Sequence, residues 1–389
     1  FYRVGDGLAF AVSDDGSTVV GSLNSGTAFA WTKGDGLTSI GGIEAVGANS
    51  DGSAICGSVS TPSGESAGRL LFGQAWEPFG GLGASGCDSS LSSGYGISSD
   101  GMRCVGLGWD GCSANAFLWE DGVGMAALPA MGTSSTRADT ISGDGHVIGG
   151  WDQVNGGNRL AAVWREDAKT GEWIEELLLA GLAGNTSGVG EVNGSNGDGS
   201  LLLGVSSGTT TASKGAYVYR AASGVEVVGI LDGSLSPTTG GFLDTTEDGA
   251  TIVGFQREGL GGSGRFRATV WTSEVGLMEL KPYLNGLGAG IPEGFTLAAA
   301  MSISDDGRVI CGWGYDGWIF AQEAWIAILP GADEPCPADF NGDGVVNGAD
   351  LGLLLSGFST SEATYDLNGD GLVDGSDLGL FLAAFGPCN

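Results

Sequence analysis

Short runs of small and β-branched apolar residues recur along most of the chain, separated each time by the same turn residues. The recurring phrase is an apolar strand, an Asp-Gly turn, an apolar strand ending in Gly, and a third strand carrying Ala and an aromatic residue. Residues 9–21 (AFAVSDDGSTVVG) and 28–31 (AFAW) form the first copy. The turns fall at Asp15, Asp51, Asp100, Asp144, Asp198, Asp248 and Asp306, spaced 36, 49, 44, 54, 50 and 58 residues apart. Trp31, Trp76, Trp119, Trp164, Tyr219, Trp271 and Trp325 close the third strand of successive copies, and a shorter strand follows in most, as at 37–41 (LTSIG). Asp-Gly between alternating apolar residues is a strong hairpin signal, because the tight turn needs a positive φ that Gly adopts without strain.

Four short strands in a repeat of about 40–50 residues make one propeller blade. Such a sheet cannot bury both faces alone, so neighbours stack radially and the recurring aromatic fills the gap between them. The chain therefore predicts a mainly β fold: a seven-bladed β-propeller over 1–330, a linker over 331–335, and a separate C-terminal domain over 336–389. Six or eight blades fit the spacing as well, because the second repeat loses the phrase after Cys56. Val4-Gly5 precedes Asp15 by the interval that separates Ile40-Gly41 from Asp51. Residues 1–5 thus match an outer strand with no blade of their own, and the last repeat lacks one. The N-terminal strand is expected to complete the last blade and close the ring.

Glycine, at 76 residues, shows no three-residue period, which excludes collagen, and 42% apolar residues are too many for a disordered chain. The net charge of −31 repels nucleic-acid phosphates and anionic lipid, and no apolar run is long enough to cross a bilayer. Neither nucleic acid nor direct membrane insertion is expected. Phe1 reads as the start of a processed mature chain in an extracellular or cell-surface setting.

The first 330 residues resemble the extracellular HAF-type repeats of bacterial surface proteins, with their Ser-x-Asp-Gly, Val-x-Gly and Ala-Phe-x-Trp elements. The resemblance implies the propeller architecture and a bacterial-type secretion route. It implies no particular activity, because propellers host many.

Beyond Pro330 two segments align residue by residue: 339–350 (DFNGDGVVNGAD) and 366–377 (DLNGDGLVDGSD). A hard cation such as calcium takes six to eight oxygens, and a loop of this kind supplies them from positions 1, 3, 5, 7, 9 and 12. In the first loop these are Asp339, Asn341, Asp343, the Val345 carbonyl, Asn347 and Asp350; in the second, Asp366, Asn368, Asp370, the Leu372 carbonyl, Asp374 and Asp377. Gly344 and Gly371 stand at position 6, where the chain must turn sharply. Each loop leads into apolar residues at helical spacing, Leu351, Leu354, Leu355 and Phe358 matching Leu378, Phe381, Leu382 and Phe385, so two helices are expected to pack face to face.

This segment resembles a type I dockerin, in the Cys-bracketed form seen on bacterial surface proteins. The resemblance implies two bound Ca2+ ions and an attachment role. At loop positions 10 and 11, where cohesin-binding dockerins carry Ser/Thr-type recognition residues, stand Gly348-Ala349 and Gly375-Ser376. A second copy of the chain and a cohesin-like surface protein are therefore both candidate partners.

Cys336 and Cys388 bracket this segment and read as a disulfide staple of an oxidising compartment. Cys87 and Cys112 can pair between neighbouring loops, while Cys56, Cys104 and Cys311 stand where other repeats carry Val and read as small buried hydrophobes. No CxxC is present and His146, in an Asp-Gly turn, is the one histidine, so neither a zinc site nor a Ser-His-Asp arrangement is expected. Carboxylate pairs such as Glu175-Glu176 and Asp305-Asp306 read as solvated faces or turns. Asn185-Thr-Ser187 and Asn193-Gly-Ser195 fit the glycosylation pattern. The expectation is a non-catalytic secreted protein, a rigid propeller docked to neighbouring subunits in a filament or surface array through its calcium-folded tail. The alternative is a surface-anchored glycan- or protein-binding propeller held by a cohesin-like receptor.

Overall fold

The computed structural model describes the chain apart from residues 84–89, 133, 155–157, 179–189, 208–213, 234–237, 260–264, 318, 320, 330–336, 342–344, 363 and 388–389. The chain divides into two compact units, Phe1–Ala327 and Ile328–Asn389.

The first unit is mainly β, built from antiparallel sets that follow one another along the chain. The first set is β1 (Tyr2–Val12), β2 (Thr18–Leu23), β3 (Thr27–Thr32) and β4 (Gly36–Ser39). The second is β5 (Glu44–Ala48), β6 (Ala54–Thr61), β7 (Gly64–Leu71) and β8 (Glu77–Gly80). The third is β9 (Ser92–Ile97), β10 (Arg103–Asp110), β11 (Ser113–Glu120) and β12 (Gly124–Ala127), and the fourth β13 (Thr136–Ile141), β14 (Val147–Val154), β15 (Asn158–Glu166) and β16 (Trp173–Leu177). The fifth is β17 (Glu191–Ser195), β18 (Leu201–Ser207), β19 (Lys214–Arg220) and β20 (Gly224–Gly229), and the sixth β21 (Thr238–Thr245), β22 (Thr251–Glu258), β23 (Arg265–Thr272) and β24 (Gly276–Glu279). A short helix not expected from the sequence, α1 (Leu280–Gly286), buries Leu280 and Leu284 before the last set, β25 (Phe295–Ile303), β26 (Val309–Asp316) and β27 (Glu323–Ile328).

The last set takes its outer strand from the other end of the chain. The first half of β1 pairs antiparallel with β27, Tyr2 opposite Ile326 and Arg3 opposite Trp325, and the second half pairs with β2. Arg3 grips Glu323 through two hydrogen bonds of 2.6 and 2.5 Å, and Phe1 lies over Trp325 with ring centroids 6.2 Å apart.

Each Asp-Gly turn is a polar clamp. Ser13 Oγ donates to Asp15 Oδ1 (2.7 Å) and accepts from Thr18 N, while Asp15 Oδ1 also accepts from Ser17 N. The same pattern recurs at Ser98/Asp100, Ser142/Asp144, Thr246/Asp248 and Ser304/Asp306, and with Asn at Asn49/Asp51 and Asn196/Asp198. The Gly lies one residue beyond the turn centre at positive φ, 73° at Gly16, its N–H closing the turn on Ser13 O.

The Gly expected to end each second strand lies inside it, as Gly106 does in β10 and Gly254 in β22, and its place has a steric cause. The inner strand bulges there and its carbonyl passes directly over the Gly. A Cβ on Gly106 would lie 2.1 Å from Ser93 O, and one on Gly254 2.1 Å from Gly241 O. β9 shifts register opposite Gly106, between Val105 and Gly106, and β21 opposite Gly254, between Phe242 and Asp244.

The aromatic of the third strand sits opposite an apolar residue of the second, as Trp31 does opposite Val19 and Trp119 opposite Cys104. The second set departs from this. Trp76 lies beyond β7, Leu70 takes the place opposite Ile55, and the Trp76 indole N–H reaches back to Ile40 O at 2.9 Å. The hairpins of the second and third sets span the same interval, Ile55 to Leu70 and Cys104 to Trp119, so the second repeat carries Leu where the third carries its aromatic, and Trp76 follows the strand.

The second unit holds two helices, α2 (Gly348–Ser356) and α3 (Gly375–Ala383), and a two-residue ribbon of β28 (Val345–Val346) with β29 (Gly386–Pro387). Asn347 and Asp374 cap the helices, each in a reciprocal capping box with Asp350 or Asp377.

Candidate functional site

The innermost strands of all the sets face one cavity of about 370 Å³. It is lined at one height by the residue five positions before each turn Asp: Phe10, Val46, Tyr95, Asp139, Asn193, Leu243 and Met301. Tyr95, Asp139 and Asn193 come from consecutive sets, so one side of this wall is polar and the rest apolar. Counting back a fixed interval from the turns is the signal that would have found them in the sequence.

Next to this layer the turns themselves join in a ring. Asp15 N donates to Ser50 O, Ser50 N to Ser99 O, Ser99 N to Gly143 O, and Asp144 N to Gly197 O. Gly197 N then donates to Glu247 Oε2, Glu247 N to Asp305 O, and Asp305 N to Asp14 O, which closes the circuit. Ser99 Oγ also donates to Asp14 Oδ2 at 2.6 Å.

The cavity is acidic, with Asp14, Glu44, Asp139, Asp244 and Asp305 in its wall. Burial disfavours their charged forms. Asp139 is pushed up to about 7 by burial, against the pull of Arg137 at 2.5 Å. Asp305 reaches about 7 through burial and the charges of Asp14, Glu247, Asp244 and Asp306. Asp244 reaches about 6 by burial, although it accepts from Ser302 Oγ at 2.6 Å and Ile303 N at 2.9 Å. Asp139 Oδ2, Asn193 Oδ1 and Ser195 Oγ are buried and have no hydrogen-bond partner among the described residues.

Several sequence readings change here. Asn193 faces the cavity and is not a surface acceptor for a glycan; Asn185 lies outside the described residues. Glu175 is no solvated carboxylate. It is buried against Asp152, hydrogen-bonds Met131 N, and is pushed up to about 8 by burial and that neighbour. Glu176 is half exposed near Arg165, and Asp305 belongs to the cavity. His146 is 59% exposed, with Nδ1 2.8 Å from Glu166 Oε2.

In the C-terminal unit the second loop folds around its own acids. Asp366 accepts from Gly369, Asp370 and Gly371 N, and Asn368 Oδ1 accepts from Asp370 N. Asp370 Oδ1 accepts from Leu372 N at 3.0 Å, and Asp374 caps α3. Asp377 is buried, and N–H donors from Asp374, Asn368 and Leu367 hold it below the usual carboxylate range. In the first loop Asp350 accepts from Phe340, Asn341 and Asn347 N in the same way. Asp339 and Val345 are described, and Asp343 and Gly344 lie outside the described residues.

The donor chemistry fits calcium: every side-chain candidate is a hard oxygen, and residues 336–389 contain no Lys or Arg. Among the described residues no three acids stand close enough together to ligate one ion; the loop carboxylates are turned onto main-chain N–H groups instead. Asp339, Asn341, Asp343, Asn347 and Asp350, and Asp366, Asn368, Asp370, Asp374 and Asp377, are the side chains that would hold the two ions.

The helical apolar stripe divides in two. Leu354 and Phe381 are fully buried in a small core with Ala338, Val346 and Val373, with Leu351 and Leu378 partly buried against it. Leu355 (52% exposed) and Phe358 (38%) face outward, as do their counterparts Leu382 (56%) and Phe385 (54%). Each repeat therefore presents the same apolar pair to solvent.

Cys112 is disulfide-bonded; Cys87, Cys336 and Cys388 lie outside the described residues. Cys56, Cys104 and Cys311 are buried thiols.

No protein-family profile matches the chain, and no curated protein matches it by sequence. Three similar solved structures are remote in sequence. TolB from Acinetobacter baumannii is 12% identical, with a TM-score of 0.44 over 68% of this chain and 63% of its own. Kuenenia stuttgartiensis hydrazine synthase is 13% identical, with a TM-score of 0.47 over 84% of this chain and 96% of its own. The β-propeller domain of the trilobed protease from Pyrococcus furiosus is 11% identical, with a TM-score of 0.50 over 83% of this chain and 95% of its own. With the radial sets around one cavity, that likeness makes this chain a β-propeller in fold.

Proposed function

We propose that the chain is a secreted, non-catalytic assembly protein. Its seven-bladed propeller, closed by the N-terminal strand, is the rigid body. Its dockerin-like C-terminal unit, folded by two calcium ions, joins neighbouring copies in a filament or array at the cell surface. The observation that carries this reading is the doubled apolar pair, Leu355 with Phe358 and Leu382 with Phe385, exposed on a unit whose helices are otherwise capped and packed. Matching apolar residues on both repeats make a surface that a protein partner covers. A chain carrying −31 resists self-contact, and calcium would lower the charge of the unit as it folds it. The test is light scattering of the full chain with calcium and with chelator, beside Leu355→Ser with Leu382→Ser. Assembly of the wild type in calcium alone, lost in the variant, supports the reading. A wild type that stays monomeric at high concentration in calcium overturns it.

The central cavity favours a second reading, a glycan-binding propeller held by a cohesin-like receptor. A volume of about 370 Å³ falls in the range of small-ligand sites, and its wall combines Tyr95, Asp139 and Asn193 with apolar neighbours. Glycan-array binding lost on Asn193→Ala would select it over the first.

A further inference from the structure

The second strand of each set places two consecutive residues, four and five positions after its turn Asp, on opposite faces. The fifth-position residue of one set meets the fourth-position residue of the next. Val20 and Ile55 share one core cluster, Val105 and Ile148 another, and Leu203 and Ile252 a third. Between the second and third sets the same two places hold Cys56 and Cys104. Both are fully buried, and in this structure they stand as neighbouring free thiols of one core cluster. Gly94, on the inner strand of the third set, makes room: a Cβ there would lie 2.7 Å from Cys56 Sγ. Cys311 also stands at a fifth position, but the fourth-position residue of the first set is Val19.

We propose that Cys56 and Cys104 are a disulfide-forming site that staples the second set to the third. This inference rests on the geometry between the sets and stands apart from the reading of the tail. The chemistry is exchange with a low-molecular-weight or protein disulfide. One cysteine thiolate attacks a donor sulfur and releases one donor thiol. The second cysteine sulfur then displaces the other donor thiol from the mixed disulfide. One S–S bond is broken and one formed, the two cysteines are oxidised as the donor is reduced, and both protons leave on the released thiols. In the folded chain both sulfurs are out of reach of solvent. The exchange therefore belongs to folding, before the two sets close on each other, and the finished bond is shielded from reductant afterwards.

The test is refolding of the full chain from denaturant and reductant, once with reduced and oxidised glutathione and once with reductant throughout. Each sample is then denatured, alkylated, and digested without reduction for mass spectrometry. The expected result in the oxidising arm is a linked peptide pair carrying Cys56 and Cys104, with Cys311 alkylated. Cys112 in a linked peptide shows that the conditions were oxidising. Alkylation of both Cys56 and Cys104 in a sample where Cys112 is linked overturns the proposal, as does linkage of either to Cys311. Cys56→Val with Cys104→Val places in both positions the residue found there in other sets, so the variant is expected to fold. The oxidised wild type should melt several degrees above the reduced one, and that gap should shrink in the variant. A gap of the same size in the variant assigns it to other cysteines and removes the stapling role.

Discussion

Phe381 and Leu382 are adjacent in sequence and opposite in environment, and truncating each one separates the core of the C-terminal unit from its outward face. The Phe381 ring is fully buried, nearly parallel to Phe340 (centroids 6.2 Å apart, 12° between planes) and edge-on to Phe385 at 6.1 Å. Phe381→Ala removes the largest side chain of the cluster formed with Ala338, Val346, Leu354 and Val373. A buried Phe→Ala change costs about 3–5 kcal/mol through lost transfer energy and the cavity left behind. A core of fewer than about 70 residues rarely supplies more than about 3–5 kcal/mol in total. The variant unit should therefore be largely unfolded at 25 °C without calcium. Calcium at a hundredfold excess over its dissociation constant would add about 2.7 kcal/mol per site, about 5.4 kcal/mol for two, enough to offset the loss, so the two variants are compared in chelator. Leu382 is 56% exposed, and its truncation should change stability by no more than about 0.5 kcal/mol. The assay is hydrogen exchange read by mass spectrometry on the full chain, with calorimetry alongside. Phe381→Ala should lose amide protection across Ile328–Asn389 and leave Phe1–Ala327 unchanged, whereas Leu382→Ala should keep protection in both. Equal losses in the two variants, or none in Phe381→Ala, would refute the division of the stripe into a buried and an exposed half.

Chelation of calcium from the full chain, or Asp343→Ala with Asp370→Ala, should lower the calorimetric transition of the C-terminal unit, and an unmoved transition would remove the calcium-folded reading. Deleting residues 1–6 takes away the Arg3–Glu323 fork and leaves β27 as an open edge, so the chain should melt lower and aggregate on a sizing column; a truncated chain as stable as the whole would count against N-terminal closure. The raised carboxylates give a pH dependence of fixed sign: Glu175 at about 8 and Asp139 and Asp305 at about 7 keep protons in the folded chain that the unfolded chain releases near pH 4. Their contribution is full below about pH 4 and lost as pH rises through 7 to 8, so the melting temperature of the propeller should fall from about pH 5 to about pH 9, and Glu175→Gln should flatten the upper part of that fall. A melting temperature that climbs over this range would show that those groups are already ionised.

What one repeat decides locally could be read along the chain. Each Asp-Gly turn needs a positive φ and a polar partner two residues earlier, and both are written within a few residues, as in Ser142, Asp144 and Gly145. The Gly within the second strand is equally local, because the bulged strand over it comes from the same hairpin. The N-terminal strand was legible because an outer strand without a blade and a blade without an outer strand leave one pairing to make. The two helices of the C-terminal unit were legible from the apolar residues at helical spacing that follow each loop. Which faces meet depends on contacts between elements far apart in the chain. A helical stripe marks Leu354 and Leu355 alike as apolar, and which of them is buried depends on where the other helix and the ribbon lie. Glu175 looks solvated beside Glu176 until β16 brings it against Asp152. Asp139, Asn193 and Tyr95 are unremarkable strand residues until every inner strand faces one axis. Cys56 and Cys104 stand 48 positions apart and read as replaced valines until the second and third sets stack and bring their sulfurs together. In each case the deciding contact joins separate repeats or elements, and burial is a property of both partners, which a pattern along one strand or helix does not contain.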